Sequence, residues 1–118
     1  MSKQEAIEAV EDLQKFYRTH NVGGSVGQRR GFLEDSYRAS DRCIWGAAAY
    51  TGHAEFGAMY GKNMLPELKE ALEATMKVDN DLPHQEYQSI GGYNDHYILN
   101  NINEMRMWLK RAKAWLKK

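Results

Sequence analysis

The chain has 118 residues, 42% hydrophobic and 27% charged, which suffices for one hydrophobic core and is the composition of a soluble globular domain. Sixteen basic and sixteen acidic side chains cancel, the single cysteine cannot form an internal disulfide, and no apolar run nears the roughly 20 residues that span a bilayer. These totals exclude a disulfide scaffold and a membrane-spanning helix. With acids where a signal peptide would be apolar, they predict a cytoplasmic location.

The first predicted helix runs from about Lys3 to His20. Ser2 and Glu5 match a capping box, in which each side chain satisfies an orphan backbone N–H. Ala6, Val10, Leu13 and Tyr17, joined by Ile7 and Phe16, recur at helical spacing, while Glu8, Glu11, Asp12 and Lys15 form a solvated face. Asn21, Gly23 and Gly24 end the helix. Ser25 and Gln28 match a second capping box and open a central helix to about Thr51, whose stretch CIWGAAAY is apolar or small all round. A helix without a polar face is normally enclosed by other elements.

Gly52 is a natural stop, and HAEFGAMYG reads as a third helical stretch burying Phe56, Met59 and Tyr60. Gly57 and Gly61 weaken it by about 1 kcal/mol each relative to alanine. Asn63 and Pro66 mark a new start, and Leu65, Leu68, Leu72 and Met76 carry an amphipathic helix to about Val78. Residues 79–95, DNDLPHQEYQSIGGYND, lack helical periodicity and read as one long polar loop, with room for a short hairpin at Gly91-Gly92. Asn94 or Asp95 is expected to cap the last helix, which aligns Ile98, Ile102, Met105, Leu109, Ala112 and Leu116. The expected fold is therefore all-α: residues 1–118 as a single compact, bundle-like domain of four to five helices.

No arrangement in the sequence spells a catalytic or metal motif. The four histidines are scattered, with His53-Ala54-Glu55 and His84-Gln85-Glu86 the nearest approach to ligand spacing, and Cys43 has no cysteine partner. Ser25 and Ser36 lack the context of an activated nucleophile, and Glu34 and Asp35 stand at ion-pair spacing from Arg30 and Arg38, the pattern of a surface charge cluster that Arg42 extends. The expectation is a non-enzymatic protein that needs no metal and no cofactor.

Three surfaces remain as candidates. The first is GGSVGQRR, residues 23–30, where Gly24, Ser25 and Gln28 would offer backbone and side-chain donors at a helix start, and Arg29 and Arg30 would clamp an anion. Its plainer reading is a capped link between two helices. The second is the tyrosine-rich segment, in which Tyr87 and Tyr93, with His96 beside them, would supply stacking faces. Were the two to meet, they would form a nucleotide-sized pocket with an anion end and a stacking end. The third is the last helix. Residues 106–118 carry six basic and no acidic side chains, leaving ten basic and sixteen acidic for the rest, and Trp108 and Trp115 flank the apolar face. Trp108, Trp115, Lys110 and Lys113 are expected at an interface between copies of the chain.

The run DRCIWGAAAY resembles helices in small phage proteins that sequester nucleotide signals. It spans less than a tenth of the chain and carries no specific motif, so it bears only on the ranking of readings. That ranking places first the capture of an anionic, nucleotide-like small molecule, as in a phage-type sequestering (anti-defence) protein, by a homo-oligomer that engages no membrane. Second is a protein-binding inhibitor or adaptor using the tyrosine-rich loop and the tryptophan edge. Third is nucleic-acid binding through the basic last helix.

Overall fold

A computed structural model describes residues 2–23, 41–57, 61–77, 89–99 and 101–118. Most of the described chain is helical, with one small two-stranded sheet. In order these are α1 (Ser2–Thr19), α2 (Ile44–Tyr50), β1 (Glu55–Phe56), β2 (Gly61–Lys62), α3 (Pro66–Ala74), α4 (Ile90–Gly92), a π-helical segment (Tyr93–Ile98) and α5 (Ile102–Leu116). None of the described helices is long and apolar enough to cross a membrane.

The core forms where three amphipathic helices meet. α1 packs on α5 and α3, and α3 also packs on α5. From α1, Ala6, Val10, Leu13 and Tyr17 are fully buried, as the periodicity predicts, and Phe16 nearly so. They face Leu68 and Leu72 of α3 and Met105, Trp108, Leu109 and Ala112 of α5 within one continuous cluster. Each large side chain taken fully out of water here contributes about 1.5–3 kcal/mol, so this cluster holds the three helices together. Pro66 occupies the first turn of α3, where its missing N–H costs no hydrogen bond. Asn101 caps α5, its Oδ1 accepting from the backbone N–H groups of Asn103 and Glu104.

Several expectations need correction. The central helix predicted to run through Arg42 and Cys43 instead has a start there. Cys43 is in extended backbone and its Sγ accepts from Gly46 N at 3.3 Å, so α2 begins at Ile44. The stretch around Glu55 and Phe56 is not helical but pairs antiparallel with Gly61 and Lys62. Gly61 lies so close to the Trp45 carbonyl that a Cβ there would collide with it. Phe56 is 63% exposed rather than buried, while Met59 and Tyr60 lie outside the described residues.

The expected polar loop at 79–95 is helical in its final part, from Ile90 onward, and Gly91-Gly92 forms no hairpin. Ser89 caps this helix through its side chain, accepting from Gly92 N at 3.0 Å. The ladder then widens to π spacing, with Leu99 N donating to Asn94 O at 3.0 Å. Asn94 and Asp95 consequently sit inside a helical segment, and Asn101 takes the capping role expected of them. Asn94 is left to a different task.

Candidate functional site

Asn94 is fully buried and makes three side-chain hydrogen bonds. Its Nδ2 donates to Gly23 O at 2.8 Å and to Asp95 Oδ1 at 3.0 Å. Its Oδ1 accepts from Ile44 N at 3.0 Å. One amide thus ties Gly23, four residues past the end of α1, to the first residue of α2 through the π segment.

Two further bonds close the same junction. Gly23 N donates to Arg42 O at 3.1 Å, and the Tyr17 hydroxyl donates to that carbonyl at 2.7 Å. Gly23 and Arg42 are therefore paired, so the chain leaves and returns at one point. Burial pushes the Tyr17 hydroxyl well above its ordinary range, which keeps it protonated and able to donate.

The returning residues are themselves charged and buried. Arg42 is 4% exposed and Asp41 9% exposed, although the sequence places Arg42 in a surface charge cluster. A guanidinium so enclosed is tolerated only where counter-charges or acceptors meet it. Beside it, burial raises the Cys43 thiol to about 11, against which the backbone N–H groups of Gly46 and Trp45 pull weakly downward. The thiol is neutral near pH 7 and is a poor nucleophile.

Of the anion-binding residues expected in the glycine–arginine stretch, Gly24, Ser25, Gln28, Arg29 and Arg30 lie outside the described residues, as does Tyr87. The junction just described is the base from which that stretch departs and to which it returns. The start of α2 offers no anion site in its place, because the Ile44 and Gly46 N–H groups are already bound by Asn94 and Cys43.

Tyr93 is a correction. It is fully buried, stacked on Tyr97 at 4.7 Å and edge-on to Trp108 at 4.7 Å. Its hydroxyl oxygen accepts from Lys77 N at 3.0 Å and from Arg111 Nη2 at 3.3 Å. With both faces and its polar tip engaged, it braces the core and cannot stack on a ligand. His96 is exposed on the π segment, two residues beyond Asn94.

Trp108 is corrected in the same way. It is fully buried, and its indole N–H donates to Leu72 O at 3.0 Å. It is a core residue, so the tryptophan edge expected on the last helix reduces to Trp115, which is half-buried. The basic stripe is also partly spent within the chain. Arg106 donates twice to Tyr17 O, at 3.2 and 3.0 Å, and Lys113 pairs with Glu11 at 2.9 Å. That pairing, first through the hydrogen bond and then through charge, lowers the Glu11 carboxyl below its ordinary value. Lys110 remains exposed.

Among the described residues no group of three or more histidine, cysteine or acidic side chains is placed to hold a metal ion. Comparison of the chain with family models, with curated proteins and with solved structures finds no match in any of the three. Its functional reading rests on its own geometry. The residues that sequence reasoning missed are Asn94, Asp41 and Arg42. Asn94 carries no local signal for its role, because its main partners lie 71 and 50 positions away.

Proposed function

We propose that this is a non-enzymatic binding protein that captures an anionic, nucleotide-like small molecule at the segment between Gly23 and Arg42. Arg29 and Arg30 hold the charge, with Gly24, Ser25 and Gln28 as further donors, and Tyr87 supplies the stacking face that Tyr93 does not. His96 stands at the rim. The observation that supports this reading is the Asn94 junction. It joins the base of the arginine-bearing segment to the end of the tyrosine-bearing one, the meeting that a pocket with an anion end and a stacking end requires. A buried arginine at the same base adds positive potential in a medium where charge acts strongly. The protein-binding alternative loses support, because it relied on a tryptophan edge from which Trp108 is absent.

The test is binding of nucleoside mono-, di- and triphosphates and cyclic dinucleotides, read first by thermal shift and then by calorimetry. Charge-assisted hydrogen bonds are worth about 1.5–3 kcal/mol each. The double substitution Arg29→Ala/Arg30→Ala should therefore weaken binding by at least about a hundredfold, since about 1.4 kcal/mol is tenfold. Its circular dichroism should be unchanged. A screen in which no nucleotide raises the melting temperature would overturn the reading.

A further inference from the structure

A basic stripe runs along the seam between α1 and α5. The two helices are antiparallel neighbours, tied at both ends of the seam and in its middle. Lys3 Nζ donates to Lys118 O at 2.8 Å, Lys113 pairs with Glu11 at 2.9 Å, and Arg106 donates to Tyr17 O at 3.0 Å. Arg106 stands seven residues before Lys113, Lys110 three before it, and Lys117, the cap residue of α5, four after it. That spacing puts all four on one side of the helix. Lys117 also lies near enough to draw on the Glu11 carboxyl by charge. On α1, Arg18 follows seven residues after Glu11 and so shares its face, directly after the residue whose carbonyl holds Arg106.

Five cations thus meet one carboxylate. Lys113 spends its charge on Glu11, but Arg106 is bound to a carbonyl oxygen, which fixes the guanidinium without neutralising it. Arg18, Lys110 and Lys117 are exposed and pair with no acid among the described residues. The other acids of α1, Glu5, Glu8 and Asp12, recur at helical spacing on the next face round, from which Asp12 reaches His53 in the turn after α2. Four uncompensated cations remain. Three of them, from Arg106 to Lys117, extend over about 17 Å at 1.5 Å per residue. One strand of a duplex carries a phosphate about every 3.4 Å along its axis, so this length faces about five phosphates.

We propose that the stripe binds a nucleic-acid duplex through the phosphate backbone of one strand, without reading its bases. A straight, evenly spaced row of cations is complementary to a polyphosphate, whose charges are themselves evenly spaced. Among the described residues neither helix carries an exposed aromatic ring on which an unpaired base could stack, which favours a duplex over a single strand. A bilayer surface would need an apolar face to enter it, and the apolar faces of both helices are spent in the core. The acidic remainder of the chain repels the same polyanion, so contact is confined to this seam.

The experiment follows the full chain binding a fluorescent DNA duplex of about 20 base pairs by polarisation, with salt raised from about 50 to 200 mM. Binding should be micromolar at the lowest salt and fall with a log–log slope of about −3 to −4, the value for about four phosphates. Lys110→Gln/Lys117→Gln should weaken it at least about tenfold and flatten the slope by about two. Glu11→Gln, which frees Lys113, should strengthen binding and steepen the slope by about one. Lys62→Gln/Lys69→Gln, two exposed lysines away from the seam, should change neither, and circular dichroism should be the same for every variant. A single strand of the same sequence should bind more weakly than the duplex. The proposal is overturned by the absence of saturable binding at the lowest salt, by equal losses in the two lysine pairs, or by tighter binding of the single strand. Equal affinity for poly-L-glutamate, or for vesicles of phosphatidylcholine and phosphatidylserine, would also overturn it. Arg29 and Arg30 lie outside the stripe, so this proposal and the nucleotide reading fail separately.

Discussion

Asn94 shows how much one side chain can decide. A fully buried amide that donates twice and accepts once replaces the water that three separate chain segments would otherwise need. Aspartate at this position would keep the acceptor for Ile44 but lose the donor to Gly23, and it would set a second carboxylate beside Asp95. Alanine would leave the Gly23 carbonyl and the Ile44 N–H without their partner, at about 1–3 kcal/mol for each buried group stranded. Asn94→Ala is therefore expected to lower unfolding free energy by about 2–4 kcal/mol, read from the midpoint of urea denaturation. A change below 1 kcal/mol would mean that water reaches the junction and that it is looser than its geometry implies.

Among the elements, those decided by their own residues are the ones legible in the sequence. α1, α3 and α5 each carry an apolar stripe at 3.6-residue spacing, and Leu13, Leu72 and Leu109 all fall in the core where the stripe places them. The elements misread are those shaped by distant contacts. α2 starts at Ile44 because Asn94 and Cys43 take its first N–H groups, and the β1–β2 pair rests on Gly61 passing against the Trp45 carbonyl. Helical spacing in HAEFGAMYG was a true feature of the residues, but two glycines made the helix weak enough for tertiary packing to override it. The candidate site divides along the same line. Its arginines and tyrosines are visible as residue types, whereas the amide that unites their segments acts across 71 positions and leaves no local trace. The hairpin offers a direct check. Gly61→Ala must push the added methyl group into the Trp45 carbonyl, and overpacking of this kind costs about 1–3 kcal/mol. Chemical denaturation should show a loss of that size. An unchanged midpoint would show that α2 and β2 can separate freely.

Across the whole molecule, the groups that hold the segments together are also groups that resist ionisation. Tyr17 at the end of α1, Cys43 before α2 and Tyr93 in the π segment are all raised by burial, and each makes its native contacts as the neutral form or from a desolvated position. Cys43 sets the pH window most clearly. Its thiol titrates at about 11 in the folded chain against an ordinary value of 9.0. Between these two values the unfolded chain has released a proton that the folded chain still retains. Stability from this group is therefore fully present below pH 9 and declines as pH rises through the folded value, at a limiting rate of about 1.4 kcal/mol per pH unit. The tyrosines extend the loss further into alkali, in the same direction. Acid acts through a different and more exposed contact. The lowered Glu11 carboxyl gives its stabilisation above its unfolded value and gives it up as pH falls through the folded one, so the two flanks of the stability profile have separate origins. Denaturation midpoints measured from pH 7 to 11 should be level to about pH 9 and then fall by up to about 2–3 kcal/mol on account of Cys43. Cys43→Ala should start from a lower plateau, because the cap on Gly46 N is gone, yet decline less steeply between pH 9 and 11. A parallel decline in the variant and the native chain would assign the alkaline loss to the tyrosines and remove the thiol from the account.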